Sequence, residues 1–369
     1  MSKVLCAMSG GIDSSVSAWL LKQAGHEVMG VFMRHGSHVK NPLPPDPKKR
    51  QKQGCCSLED SHDARRIADM LGIPFYVLNF ESDFHKVVSY FVSEYDRGVT
   101  PNPCIVCNRD LKFGRLFEYA DAVGAEKIAT GHYARLHQEN GRAVLRRGLE
   151  TRKDQSYVLF PLRQDQLERT LFPVGDLEKE EVRQIAREAG FRIAEKPESM
   201  EICFVPDNDY RHLIEEKIPE RIVEGNFVSS DGKVLGRHRG HQFYTVGQRK
   251  GLGVALGHPM YVVDIDPLEN RVVLGESKEL LGEELFAREM NWIRRDPVPG
   301  DVFDVSIQIR AQHSGATGQV EVLSGARVRA KFSKPQKAIT PGQGVVFYEG
   351  DIALGGGWIE SKREQSFTL

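Results

Sequence analysis

Three cysteines carry the most reactive chemistry in this chain: Cys104 and Cys107 in TPNPCIVCN, and Cys203 in SMEICFV. Pro101 and Pro103 stiffen the approach, and Cys104-x-x-Cys107 sits just before a helix predicted over 111–123. A helix N-terminus lowers a thiol pKa and favours the nucleophilic thiolate. Three uses compete: catalysis or redox chemistry, metal or cluster ligation, and plain burial. A structural zinc site takes four ligands, and no second C-x-x-C is present. With Cys203 as the third thiolate, a cluster with one open iron can form. Adjacent Cys55 and Cys56 pair poorly with each other and read as incidental, and Cys6 reads as core.

A second chemical segment is MSGGIDSSVSAWLL, residues 8–21. Apolar Val4–Met8 before it reads as a buried strand, and Val16, Trp19 and Leu20 after it repeat at helical spacing. Ser9–Ser15 is therefore a strand-to-helix turn. Glycine there lets backbone approach a ligand, and the helix start aims N–H groups at an anion. The stretch lacks a Walker A lysine and does not fit G-x-G-x-x-G. It is another kind of phosphate loop or a plain turn. In ATGHYAR, Gly131 and His132 fall at a strand end. In TRKDQSYVLF, Lys153, Asp154 and Gln155 precede an apolar stretch that also suits an ordinary helix start.

The elements that must position these residues alternate. Strands are predicted over 3–8, 27–33, 74–80 and 126–131, and helices over 14–24, 58–71, 83–96 and 111–123. This is the rhythm of an α/β fold with a doubly wound parallel sheet. Ligands of such sheets bind beyond the carboxyl ends of the strands, where Ser9–Gly11, Met33 and Gly131–His132 all fall. Ser57-Leu58-Glu59-Asp60 reads as a capping-box-like start for the second helix. Residues 34–54, with four prolines and many charges, read as a loop over the ligand edge. Helices follow over 163–171 and 177–189, the second stopped by Gly190. After about residue 205 a helix over 207–217 leads into hairpins at VSSDGKVLG and DPLENRVVLG. Strands over 302–309, 318–323, 326–332, 344–349 and 352–359 predict an antiparallel β-barrel.

The chain has 369 residues, room for two or three domains. No apolar run has membrane-spanning length and no secretory pattern opens the sequence, so a cytoplasmic, reduced protein is expected. Net charge is −1, but it is unevenly spread. Residues 233–263 hold Lys233, Arg237, Arg239, Arg249 and Lys250 with no acid. Residues 305–348 hold Arg310, Arg327, Arg329, Lys331, Lys334 and Lys337 against Glu321 alone. Clustered cations near Phe243 and Tyr244 suit a phosphate backbone, and solvated strand faces explain them equally well.

Taken together, SGGIDSS, TPNPCIVCN, TGHYAR, KDQSYVLF, SMEICFV and GHQFYTVGQRKGLG resemble one family, the tRNA-specific 2-thiouridylases. These are ATP-dependent sulfurtransferases of the N-type ATP pyrophosphatase superfamily that thiolate the wobble uridine. The resemblance covers nearly the whole chain. It implies an adenine nucleotide alpha hydrolase-like catalytic domain over 1–205, a small mixed tRNA-binding domain over 206–280 and a β-barrel over 281–369. It implies that ATP is held by Ala7, Met8, Ser9, Gly10, Gly11, Ile12, Asp13, Ser14 and Ser15, with Met33 and Gly131, and that Mg²⁺ bridges the phosphates. Cys107 and Cys203, 96 positions apart, are implied as the catalytic pair, with a persulfide on Cys203 supplied by a sulfur-donor protein. A disulfide between them would then await a reductant.

Contacts to the anticodon stem-loop of tRNA are implied for Asn102, Pro103, Cys104, His132, Lys153, Asp154, Gln155, Arg310, Gln312 and Gln343, and the protein is expected to be a monomer. Two places depart from the family. Cys104 stands where many members have aspartate, and Arg310-Ala311-Gln312 replaces an Arg-Tyr-Arg-like stretch. The first departure keeps open a variant in which Cys104, Cys107 and Cys203 hold a [4Fe–4S] cluster; the persulfide route is placed ahead of it. Further rivals are an amidating synthetase on the same fold and a non-enzymatic tRNA-binding protein.

Overall fold

Val4, Leu5 and Cys6 are consecutive and all buried, so both faces of β1 (Lys3–Ala7) are covered. That is the mark of an inner strand in a parallel sheet. The computed structural model describes residues 1–36, 58–196, 202–205, 209–254 and 257–366. The expected loop beyond residue 36, Cys55, Cys56 and the cap at Ser57 lie outside the described residues. The chain forms two units. One holds residues 1–87, 104–209 and 351–353; the other holds 88–103, 210–350 and 354–369.

In the first unit the elements follow as α1 (Ile12–Gln23), β2 (Glu27–Arg34), α2 (Leu58–Leu71), β3 (Phe75–Asn79) and the start of α3 (Glu81–Asp96). Then come α4 (Pro103–Val106), a π-helical segment (Cys107–Arg115), α5 (Leu116–Ala122), β4 (Lys127–Ala129), β5 (Ala134–Glu139), β6 (Arg142–Arg147), α6 (Gln164–Glu168), β7 (Thr170–Leu171) and α7 (Lys179–Glu188). The sheet runs β3-β2-β1-β4-β7, every pair parallel. Its strands β1, β2 and β4 are neighbours, so the residues after them share one edge. Val16, Phe32, Ile67, Val174 and Val182 pack in the core that joins sheet to helices. The four predicted strands and the helices over α1, α2 and α3 are present.

Three elements differ from expectation. The helix predicted over 111–123 already starts at Pro103, so the cysteines lie inside it rather than before it. Proline's fixed φ and missing N–H suit a first helical turn. The helix predicted over 163–171 stops at Glu168, and Thr170–Leu171 joins the sheet edge. The β5–β6 hairpin was not predicted, although Asn140 and Gly141 both take positive φ, 52° and 74°, the backbone of an Asn-Gly hairpin turn.

In the second unit, α8 (Arg211–Lys217) precedes a four-stranded mixed sheet of β8 (Gly225–Ser229), β9 (Val234–His238), β10 (Tyr261–Asp266) and β11 (Arg271–Gly275), in the order β10-β11-β8-β9. Both expected hairpins are there. Next come β12 (Leu281–Trp292), β13 (Val302–Gln308), β14 (Ala316–Leu323), β15 (Arg327–Lys337), β16 (Gly344–Glu349) and β17 (Ile352–Ile359), then α9 (Lys362–Ser366). The six strands run β12-β15-β14-β13-β16-β17 and close by pairing β12 with β17. Five were predicted; β12 was not. Residues 88–103 belong here: Tyr95 stacks on Tyr210 at 4.2 Å, and His241 Nε2 donates to the Asp96 carbonyl at 2.9 Å. Among the described residues no helix is long and apolar enough to cross a membrane.

His238 lies buried beside Phe227 and Tyr244. Burial, with His241 and Arg237 nearby, pushes its pKa down to about 4. The unfolded chain takes up a proton near pH 6.5 that the folded chain refuses until about pH 4. The stabilisation is therefore complete above pH 6.5 and is lost on acidification, on the order of 3 kcal/mol across the window. His238→Phe is expected to flatten the fall in urea midpoint between about pH 7 and pH 5. An unchanged slope would remove this histidine from the account.

Candidate active site

The turn after β1 is shaped by its own hydroxyls. Ser9 N donates to Ser14 Oγ at 3.1 Å, and Ser14 Oγ and Ser15 Oγ donate to the Gly11 carbonyl at 3.0 and 2.9 Å. Gly11 is the N-cap of α1, and Asp13 places an acid in its first turn, where the helix dipole favours it. Gly10 has φ +75° and lies against the Asp60 backbone, so a Cβ there would collide with it. Gly131 closes the other side: its missing Cβ would sit 2.7 Å from Ser14 N and 2.8 Å from Asp13 C. Met8 N donates to the Val31 carbonyl at 2.8 Å, and Met33 is the penultimate residue of β2. The residues from Ala7 to Ser15, Met33 and Gly131 thus gather at one sheet edge, as expected.

Three cationic or hydroxyl partners fix this loop, and none was foreseen. Asp13 Oδ1 accepts from Lys179 Nζ at 2.6 Å and from Tyr133 Oη at 2.8 Å. Lys179 is buried and also lies over the Tyr133 ring. Lys196 Nζ donates to Asp60 at 2.7 Å, Asp63 at 2.8 Å and the Gly10 carbonyl at 3.3 Å. Burial opposes its charge, yet the hydrogen bonds to Asp60 and Asp63 hold its pKa above the usual lysine value. Tyr133 adjoins the TGH motif, so its position was a usable signal; nothing in the sequence marks Lys179 or Lys196.

The KDQ motif is tied to the same loop. Gln155 Oε1 accepts from Tyr133 N at 3.0 Å, and Gln155 N donates to the Tyr133 carbonyl at 2.8 Å. The Asp154 side chain is 5% exposed and accepts from Arg147, Gly148 N, Ser156 N and Ser156 Oγ at 2.8–3.0 Å. Lys153 is half-buried, with its N–H on the Glu150 carbonyl at 3.0 Å. His132 is buried too. The Lys112 ammonium, which can only donate, faces Nε2 at 3.5 Å, so Nδ1–H donates to Thr130 Oγ1 at 2.6 Å. Burial, with Lys112 beside it, holds the His132 pKa well below its usual value and keeps it neutral.

Cys104 is exposed in α4, and Cys107, half-buried, opens the π-helical segment one turn later. Single π turns recur at functional sites. Cys203 is half-buried. The two segments meet a common support in α3. Arg115 Nε, at the end of the π segment, donates to Asp83 at 3.2 Å. Phe204, beside Cys203, packs edge-on to Phe84 at 5.7 Å, and Phe84 stacks on His35 at 4.0 Å. Asp83 and Phe84 are adjacent, so one turn of α3 anchors both cysteine-bearing segments. The three cysteines do not form a ligand set: among the described residues no group of three or more His, Cys, Asp or Glu side chains can hold a metal. The [4Fe–4S] reading is therefore not favoured.

The remaining expected tRNA residues lie in the second unit. Arg310 and Gln312 are exposed at the end of β13, with Arg310 also donating to the Lys337 carbonyl at 3.3 Å. Gln343 bonds to the carbonyls of residues 100 and 101, and Asn102 lies within 3.5 Å of it. The basic stretches are less bare than their composition suggests. Arg237 pairs with Glu224, Arg239 with Glu215, Arg327 with Glu360 and Arg329 with Glu284. Arg249, Lys250, Lys331 and Lys334 are exposed and have no acidic partner among the described residues. Around a cavity of about 250 Å³, Arg249 and His258 flank the Gly251 and Gly253 turn.

Comparison with known proteins assigns the chain. The tRNA methyl transferase HUP domain family matches residues 2–207, the tRNA methyl transferase PRC-barrel family residues 211–276, and the aminomethyltransferase beta-barrel family residues 282–359. The tRNA-specific 2-thiouridylase MnmA of Carboxydothermus hydrogenoformans is 50% identical over 367 residues, 98% of each chain. The chain belongs to the tRNA-specific 2-thiouridylase family. A second family member, MnmA 1 of Clostridium botulinum strain Loch Maree, is 48% identical over 359 residues, 97% of this chain and 99% of that one. Among solved structures, a 4-thiouridine synthetase–RNA complex with bound ATP is 18% identical with a TM-score of 0.37, covering 60% of this chain and 51% of that one. The full-length 2-thiouridylase relatives, rather than the domain descriptions that speak of methyl transfer, set the family's name.

Gly131→Ala is expected to push the turn off the start of α1 and to weaken ATP binding at least about tenfold. Isothermal titration with ATP checks this. Wild-type affinity in the alanine variant would separate the turn from the loop.

Proposed function

We propose that the chain catalyses ATP-dependent 2-thiolation of the wobble uridine of tRNA. The observation that carries the reading is the shared anchorage of the Cys107 and Cys203 segments on Asp83 and Phe84, in the unit that also holds the Ser9–Ser15 loop. Backbone N–H groups of the loop and of the α1 start bind the phosphates of ATP. Lys179 and Tyr133 hold Asp13 in place. A hard carboxylate beside a phosphate loop suits Mg²⁺, which is commonly held by one carboxylate and the substrate's own phosphates. Asp13 would hold it, and the ion would supply charge neutralisation.

The uridine C2 oxygen attacks the α-phosphorus, the bond to pyrophosphate breaks, and the adenylated oxygen becomes a good leaving group. The terminal sulfur of a Cys203 persulfide then attacks C2, and AMP departs with the oxygen. The Cys107 thiolate attacks the Cys203 sulfur, leaving 2-thiouridine and a Cys107–Cys203 disulfide. A dithiol reductant supplies two electrons and two protons to restore both thiols. The persulfide comes from a donor protein. The base must leave its stack before C2 is reached, at a cost of a few kcal/mol. The Asn102–Pro103 segment faces that base, and Arg249, Lys250, Lys331 and Lys334 meet RNA phosphate.

Cys203→Ser is expected to abolish 2-thiouridine formation, read by nucleoside mass spectrometry, while ATP and tRNA affinities stay within about threefold of wild type. Wild-type sulfur transfer in that variant overturns the reading. Separately, Arg249→Ala combined with Lys250→Ala is expected to weaken tRNA binding and reduce the slope of log K against log salt by about 1–2. An unaltered slope removes these two cations from the RNA surface.

A further inference from the structure

Lys112 is a half-buried cation that pairs with no carboxylate among the described residues. The other two cations of its π-helical segment are paired, Arg109 with Asp110 at 2.7 Å and Arg115 with Asp83 at 3.2 Å. The Lys112 ammonium instead faces His132 Nε2 at 3.5 Å. That ring is fixed: its Nδ1–H donates to Thr130 Oγ1 at 2.6 Å, and Phe113 and Phe172 pack on it with ring centroids 5.9 Å away. A neutral ring nitrogen orients an ammonium but leaves its charge unbalanced. Taking a charge out of water without a counter-ion costs free energy, so the position is shaped for an anion that arrives with a ligand. Its surroundings narrow the choice. His132 follows Gly131, and a Cβ on Gly131 would sit 2.7 Å from Ser14 N, in the first turn of α1. The ammonium is thus held by the neighbour of a residue that packs on the nucleotide loop. It also belongs to the segment opened by Cys107, five positions earlier, which is the interval that π-helical hydrogen bonds span.

We propose that Lys112, oriented by His132, is a catalytic residue that binds the α-phosphoryl group of the nucleotide. The inference rests on the proposed function for its chemistry. While the uridine C2 oxygen carries the adenylyl group, the phosphoryl oxygens share a single negative charge. When sulfur attacks C2, the C2–O bond breaks and its electron pair stays on the departing oxygen, so AMP leaves with a second negative charge. The ammonium faces that charge as it develops and keeps its own protons throughout. A contact that strengthens toward the transition state raises the rate rather than only tightening binding.

The test uses the full-length protein with Lys112→Gln, Lys112→Met and Lys112→Arg. Glutamine keeps an N–H for His132 and removes the charge, so it carries the experiment where methionine fails to fold. By isothermal titration, AMP is expected to lose about tenfold in affinity in the glutamine variant, while adenosine, which has no phosphate, binds as it does to the wild type. Single-turnover thiolation at saturating ATP and tRNA is expected to fall about 100-fold or more in the glutamine and methionine variants, and to return to within about tenfold of wild type with arginine. The tRNA dissociation constant and its salt slope should stay at their wild-type values. Unchanged AMP affinity, or wild-type thiolation, in the glutamine variant overturns the proposal. With AMP affinity unchanged, a salt slope reduced by about 1 would assign the cation to RNA phosphate, and slower alkylation of Cys107 by iodoacetamide would assign it to the thiolate. Failure of the wild type to form 2-thiouridine would instead overturn the function, leaving the AMP and adenosine titrations to decide the phosphate contact.

Discussion

Asp83 and Phe84 sit side by side on α3, and each grips a different piece of chain. Arg115 reaches Asp83 through a charge-assisted hydrogen bond, and Phe204 meets Phe84 ring to ring. Partial burial works against its charge, yet the hydrogen bond from Lys86, with the positive charges of Arg115 and Lys86, holds the Asp83 carboxyl below its ordinary value. Two thiols 96 residues apart cannot cooperate unless something makes their segments neighbours, and this turn supplies the common support. The loop after β1 depends on a parallel device, since Asp13 is held by Lys179 and Tyr133 and Gly10 by Lys196. Reactive groups lie on turns and helix starts; packed helices and buried cations keep them in place.

Most of the first unit was legible because its strands are continuous apolar runs and its helices are amphipathic. Glycine and serine after β1 announced the loop, and Gly131 marked a close approach that the missing Cβ explains. The β5–β6 hairpin was not expected, although Asn140-Gly141 is a strong turn signal, because His137, Gln138 and Glu139 leave β5 without an apolar alternation. The helix at Pro103 was missed because two prolines in four residues read as a stiff loop, whereas one of them occupies the first helical turn. β12 was missed because Glu283, Glu284, Arg288 and Glu289 obscure the alternation of its buried Leu285 and Ala287.

Function was less legible where a side chain serves another residue. Asp154, Gln155 and His132 carry motif identity, yet His132 is buried, the Asp154 side chain is nearly covered, and all three side chains face backbone, arginine, lysine or hydroxyl partners. A motif tells which positions matter, and cannot separate a residue that touches substrate from one that shapes its neighbour. The basic stretches show the same limit in charge. Arginines that look bare along the chain meet glutamates from α8, the approach to β8, β12 and the end of β17, so the cations left for RNA are fewer than composition suggests. Lys179 and Lys196 pass unnoticed because a buried lysine and a solvated one have the same letter.

The placement of residues 88–103 among the elements of the second unit bears on how the protein is made. Tyr95 rests on Tyr210, Asp96 on His241 and Gln242, and Thr100 on Pro341 and Gln343. Domains tend to fold from the N-terminus as they leave the ribosome. Here the latter half of α3 waits for residues 210–242, and Thr100 in the loop after it waits for the turn at 341–343 near the end of synthesis. A nascent chain cut short before residue 343 would lack the partners that hold Thr100 and Pro101, so the stretch just ahead of Cys104 is completed only late in synthesis.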